Sequence, residues 1–138
     1  MLPLNNVLLI DDDPMSNMIN ERIIQIAKFS PGVTSCLEGN EALEYLQKLI
    51  KTDLTKFPNI ILLDIAMPEM DGWEFLEEFK KFPEFILNAC KVCMLSSSID
   101  QHDIDKSRSY KMVYDFISKP LTVEKFEMLF SQCAQTAN

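Results

Sequence analysis

Short continuous apolar runs alternate along this chain with segments whose apolar residues recur at helical spacing. Val7-Leu8-Leu9-Ile10, Ile60-Ile61-Leu62-Leu63, Val92 to Leu95 and Val113 to Ile117 read as strands, and Val33-Thr34-Ser35-Cys36 as a weaker one. The run at 60–63 shows no polar alternation, which suits a central parallel strand covered on both faces. After Pro14, suited to a first helical turn, Met15, Met18, Ile19, Ile23 and Ile26 recur with a helical period. Core packing and a partner surface explain Met15 and Met18 equally well. Gly39-Asn40 opens a second helix with Ala42, Leu43, Leu46, Leu49 and Ile50 on its inner face. A third follows Gly72 through Trp73, Phe75, Leu76 and Phe79. Ile104 to Met112 is a weak helix, and Thr122 caps a last one containing Phe126, Leu129 and Phe130. Lys80 to Cys90 reads as the end of the third helix plus an irregular turn around Pro83.

The order is five βα units. It predicts an α/β fold, a doubly wound five-stranded parallel sheet with helices on both faces and right-handed crossovers. With 138 residues, the whole chain, 1–138, fits one domain with a core of about 6–133.

The formal net charge of −8 argues against a duplex-binding face, so no direct nucleic-acid contact is expected. No stretch approaches the length of a membrane span. Met1 to Ile10 lacks the basic flank and cleavage site of a signal peptide and reads as a first strand, which makes the cytoplasm the expected location. The four cysteines are then expected to be reduced. Cys90 and Cys93 have C-x-x-C spacing, but residues three apart on a strand face opposite ways, so they read as buried small hydrophobes. The one histidine, His102, reads as plain surface.

Ligands of open α/β sheets bind outside the carboxyl ends of the strands. Those ends carry Asp11-Asp12-Asp13, Glu38, Asp64, Ser96-Ser97-Ser98 and Lys119-Pro120. Clustered carboxylates repel and need a cation or raised pKa values. Oxygen-only donors suit a hard ion such as Mg2+, and a lone lysine compensates the remaining charge. A carboxylate can also attack phosphorus. Asp13, which precedes Pro14, reads as a helix cap, although three consecutive aspartates allow a shift by one. Gly72 reads as a residue in a conformation that others disfavour, and Asp71 as the shaper of the turn before it.

The blocks Leu9-Ile10-Asp11-Asp12-Asp13-Pro14, Leu62-Leu63-Asp64-Ile65-Ala66-Met67-Pro68-Glu69-Met70-Asp71-Gly72, Met94-Leu95-Ser96-Ser97 and Phe116-Ile117-Ser118-Lys119-Pro120 resemble the receiver domains of two-component response regulators. The resemblance runs from about Asn6 to Cys133. It implies the CheY-like, flavodoxin-like (βα)5 fold with strand order 2-1-3-4-5. It implies Asp64 as phosphoacceptor, and Mg2+ (Mn2+ as a substitute) held by Asp12, Asp64, the backbone carbonyl of Ala66 and, through water, Asp11. Lys119 would hold the acyl phosphate, Ser96 would bond a phosphate oxygen, and Phe116 would follow as the switch aromatic. Ser97 and Ser98 read as turn residues. The Lys119–Pro120 bond is expected to be cis, as in the family.

The implied function is acceptance of a phosphoryl group from a phosphohistidine of a sensor histidine kinase or a histidine phosphotransfer protein. No effector domain is expected after Asn138, so the expected output is an unidentified protein partner or onward transfer of the phosphoryl group. Such a chain is not a conventional enzyme: it would catalyse at most its own phosphorylation and dephosphorylation. The alternative is a receiver-like interaction module that works without phosphorylation. A haloacid-dehalogenase-like phosphatase is disfavoured, because it wants a second aspartate where Ala66 stands. One departure from the family is the bulky stretch Tyr110-Lys111-Met112-Val113-Tyr114-Asp115, where small residues are usual.

Overall fold

The computed structural model of the chain describes residues 6–27, 31–98 and 100–135. Five strands, β1 (Asn6–Ile10), β2 (Gly32–Cys36), β3 (Ile60–Asp64), β4 (Lys91–Ser96) and β5 (Val113–Ser118), form one sheet. All pairings are parallel and the order is β2-β1-β3-β4-β5, as the resemblance implied. The apolar run at Met1–Asn5 that was read into the first strand lies outside the described residues. Among them are six α-helices: α1 (Pro14–Ile26), α2 (Gly39–Thr52), α3 (Gly72–Phe79), α4 (Glu84–Ala89), α5 (Gln101–Ser107) and α6 (Val123–Gln135).

Alternate residues of the strands feed two cores, as the pleat requires. Leu8, Ile10, Ile61, Leu63, Val92 and Met94 pack with α2, α3 and α4 on one face. Val7, Leu9, Ile60, Leu62, Cys93 and Leu95 pack with α1 and α6 on the other. β3 is buried along its whole length, which places Asp64 at the centre of the sheet's carboxyl edge. Cys90 and Cys93 fall into different cores, and both are free and buried. Burial pushes the Cys36 thiol up to about 12, so it is protonated at neutral pH.

Three expectations need correction. The third crossover holds a separate helix, α4, where an irregular turn was expected. Pro83 stands at its N-cap, and Ile86 and Leu87 bury against the core. The weak helix read at Ile104 to Met112 is α5, which starts earlier because the Asp100 carboxylate caps the His102 N–H, and ends at Ser107. Gly72 has no positive φ; among the described residues that conformation belongs to Glu69, at φ 65°. Glu69 is the centre of a tight turn in which the Met70 N–H donates to the Pro68 carbonyl at 2.8 Å. Gly72 is needed for space instead: a Cβ there would lie 2.9 Å from Ile65 Cα and 3.0 Å from the Asp64 carbonyl oxygen.

Face selection in α1 also departs from simple hydrophobic periodicity. Met15, Met18, Ile19 and Ile26 are all more than half exposed, while Asn17, Asn20 and Ile24 face inward. The reason lies at the strand ends. The Asn17 amide donates to the Asp11 carbonyl at 3.1 Å and to the Cys36 carbonyl at 3.3 Å, tying α1 to β1 and β2. The Cys36 carbonyl also accepts the Asp11 N–H at 3.2 Å, and bonding the Asp11 carbonyl at this buried junction outweighs exposing a methionine.

Helix α3 begins with a capping box. The Asp71 carboxylate accepts the Glu74 N–H at 2.9 Å, and the Glu74 carboxylate accepts the Asp71 N–H at 3.2 Å. Asp71→Ala is expected to lower stability by about 1 kcal/mol, read as a fall of about 4 °C in Tm. An unchanged Tm would mean that the box adds nothing to the packing of Phe75 and Leu76.

Candidate functional site

Three loops at the carboxyl edge bring the acidic residues and the lysine together. Asp11 and Asp12 follow β1, Asp64 ends β3, and Lys119 follows β5. Ligand oxygens of Asp11, Asp12 and Asp64 lie within 4.8 Å of one another. Asp11 and Asp64 are buried, while Asp12 is exposed at the mouth. The Lys119 ammonium bridges the buried pair, 3.1 Å from Asp11 Oδ2 and 3.1 Å from Asp64 Oδ1.

Local bonds fix these groups. Asp11 Oδ1 accepts the Asp13 N–H at 2.9 Å. Asp13 in turn caps α1 through the Met15 N–H at 3.0 Å, the role read for it in the sequence. The Lys119 N–H donates to the Ser96 carbonyl at 2.7 Å, which locks the β5 turn to β4. The Lys119–Pro120 peptide is cis, as expected. The Gly72 N–H donates to the Ile65 carbonyl at 2.9 Å, which folds the β3–α3 loop tightly under Asp64.

The electrostatics follow from this crowding. Burial and the adjacent Asp11 carboxylate push the Asp64 carboxyl above the usual carboxylate range, while Lys119 and the Ala66 N–H pull it back. For Lys119, burial works to lower the pKa. The hydrogen bond to Asp11 and the charge of Asp64 outweigh it, so the ammonium stands above the ordinary lysine value. The site is therefore an anionic pocket with one fixed internal cation. Its donors are all oxygen, and burial together with the Asp11 charge pushes the Asp64 carboxyl towards protonation. That set fits a hard divalent ion such as Mg2+.

The remaining residues read from the sequence sit close by with different degrees of engagement. The observed contact of Ala66 is its N–H to Asp64. Ser96 ends β4 opposite Ser118, and its hydroxyl is turned into its own loop, donating to the Ser98 carbonyl at 2.7 Å. Phe116 is half-buried on β5 and lines a cavity of about 370 Å3 with Ile104, Ser107 and Arg108. His102 is exposed on α5.

Sequence reasoning missed a set of contacts made by the bulky stretch before β5. The Tyr110 ring stacks on Trp73 with centroids 6.3 Å apart, and its hydroxyl donates to Glu77 at 2.5 Å. The Lys106 ammonium lies 4.5 Å from the centre of the Trp73 ring. Lys111 pairs with Glu84. The bulk thus ties the α5–β5 turn to α3 and α4. Its only signal in the sequence was size where small residues are usual.

Residues 7–130 match the family described as the response regulator receiver domain, and the chain belongs to that family. It is 32% identical over 129 residues to the probable C4-dicarboxylate response regulator DctR of Bacillus subtilis, covering 94% of this chain and 52% of that protein. The chain thus spans about half the length of that relative. A two-component response regulator from Cytophaga hutchinsonii superposes with a TM-score of 0.88 at 34% identity, covering 97% of this chain and 99% of the other. The phosphorylated cyanobacterial phytochrome response regulator RcpA superposes with a TM-score of 0.72 at 26% identity, covering 93% and 90%. Among the described residues, no helix is long and apolar enough to cross a membrane.

Proposed function

We propose that this receiver domain is a cytoplasmic phosphoacceptor that takes a phosphoryl group onto Asp64 from a phosphohistidine of a sensor histidine kinase or histidine phosphotransfer protein. The observation that carries the reading is the Lys119 bridge, 3.1 Å to each buried carboxylate, beside a three-carboxylate cluster. Solved relatives that include a phosphorylated one support it.

An Asp64 carboxylate oxygen attacks phosphorus as the P–N bond of the donor breaks. The bonding pair stays on the imidazole nitrogen, and the product is an acyl phosphate on Asp64. Asp12, Asp64 and the Ala66 carbonyl would hold Mg2+ (or Mn2+), with Asp11 acting through water. The ion supplies charge neutralisation for the phosphoryl oxygens. Lys119 starts on Asp64 and Asp11, and moves onto a phosphoryl oxygen once Asp64 is esterified. Ser96 releases Ser98 and bonds a second oxygen, and Phe116 turns within its cavity. The chemistry is positioning and charge compensation. Water attack on phosphorus returns the carboxylate and inorganic phosphate.

The α1 stripe of Met15, Met18, Ile19 and Ile26 begins two residues past Asp13, at the rim of the site. An apolar surface there favours a protein as donor over a free metabolite. The first test uses Trp73, the chain's only tryptophan. Beryllofluoride added in Mg2+ is expected to change its emission saturably, because the ring sits beside Gly72 and under Lys106. A chelator should abolish the change. An emission indifferent to beryllofluoride and Mg2+ would count against the acceptor reading.

A further inference from the structure

Lys125, in the first turn of α6, spends its charge on the backbone around the site lysine. Its ammonium donates to the Ser118 carbonyl at 2.9 Å and to the Pro120 carbonyl at 3.0 Å. Those two carbonyls stand immediately before and after Lys119. The root of the side chain is fixed as well: the Lys125 N–H donates to Thr122 Oγ1 at 3.1 Å, and the Phe126 N–H donates to the Thr122 carbonyl at 3.0 Å. Immobilising a four-carbon stem costs rotamer freedom. A lysine on a helix surface would ordinarily leave its ammonium in water. Here two charge-assisted bonds hold it across a turn whose middle residue is Lys119.

We propose that Lys125 is a positioning residue for phosphoryl transfer, setting the backbone from which the Lys119 ammonium reaches the phosphoryl group on Asp64; this rests on the acceptor reading above. Lys119 reaches Asp11 and Asp64 at 3.1 Å each through a long flexible stem. The stem can deliver its charge accurately only if its Cα is held. The Ser96 carbonyl fixes the Lys119 N–H from the β4 side. Lys125 fixes the flanking carbonyls from the α6 side. With both in place, the turn is clamped between a strand and a helix, and the ammonium can pass from carboxylate to phosphoryl oxygen without the backbone moving.

A positioning role and a purely structural one separate in a two-ligand titration. Lys125→Met keeps the stem and removes the donors. It is expected to weaken beryllofluoride binding about tenfold, read from Trp73 emission, with phosphoryl uptake from acetyl phosphate slowed to a similar degree. The midpoint for Mg2+ alone should stay unchanged, because the three carboxylates are untouched. Lys125→Arg, which offers donors to both carbonyls, should recover most of the loss. Leu129→Ala is the control, since it weakens the buried packing of the same helix without touching the turn. It should lower Tm and leave beryllofluoride affinity as it is. Equal loss of Mg2+ and beryllofluoride affinity in Lys125→Met, equal weakening by Leu129→Ala, or no change in Lys125→Met would each overturn the inference. Wild-type protein that takes up no beryllofluoride would overturn the acceptor reading and this inference with it.

Discussion

Asp64→Asn is expected to take up no phosphoryl group from acetyl phosphate, yet to be more stable than the wild type in Mg2+-free buffer. The first half follows from the chemistry, since the amide has no anionic oxygen to attack phosphorus. The second half follows from the site's charge. Burial and Asp11 raise the Asp64 carboxyl above its value in the unfolded chain. The folded state therefore holds the Asp64 proton more tightly than the unfolded state does. Stability falls as pH rises from the ordinary aspartate range, near about 3.9, through the raised value, and stays lower above it. Asparagine removes that penalty, and its amide oxygen can still accept the Ala66 N–H. The gain should be present at pH 7, read as a rise in Tm, and should vanish below the ordinary aspartate pKa. Mg2+ should stabilise the wild type more than the variant. A variant less stable than wild type at pH 7 without Mg2+ would show that Lys119 more than compensates the crowded carboxylates.

Gly72→Ala is expected to damage both fold and site. The added methyl would meet Ile65 Cα at 2.9 Å and the Asp64 carbonyl oxygen at 3.0 Å. Both are backbone atoms, and they belong to Asp64 and its neighbour, so no flexible side-chain tip is available to yield. The Gly72 N–H bond to the Ile65 carbonyl pulls the same two segments together. The cost should be about 2–3 kcal/mol, as for overpacking a closed contact. Beryllofluoride affinity should fall by more than about tenfold, because a 1 Å displacement at a reacting carboxylate is costly. Chemical unfolding and the Trp73 titration read the two effects separately. Wild-type stability and affinity in Gly72→Ala would mean that the loop has slack that the geometry does not show.

These two positions illustrate what the sequence revealed and where it stopped. Asp64, Asp11, Asp12 and Lys119 were legible because each lies at the end of a strand that its apolar residues mark, and strand ends on one edge must converge. The continuous run at 60–63 identified the central strand for the same physical reason. Gly72 was found, but for the wrong cause. Sequence shows that a position is glycine and not whether φ or space demands it, and here Glu69 carries the left-handed backbone. Helix α4 was missed because six residues hold too little period to register, and Phe85 at its start is exposed. The inward face of α1 was not legible either. Its position is set by the Asn17 bonds to the Asp11 and Cys36 carbonyls, a tertiary demand that no hydrophobic period encodes. The Tyr110 contact was invisible for a similar reason, because it links elements far apart along the chain, and the Lys125 bonds, though local, depend on the path of the β5–α6 turn, which no apolar pattern encodes.

The account rests on Asp64 as the atom-level acceptor, and locating the phosphoryl group tests this most directly. The purified protein would be incubated with acetyl phosphate and Mg2+, and the modified residue identified by peptide mass mapping beside a chelated control. The account predicts one phosphoryl group per chain, on the peptide carrying Asp64, and none without Mg2+. Modification at another residue, or an unmodified protein with Mg2+ bound, would contradict it.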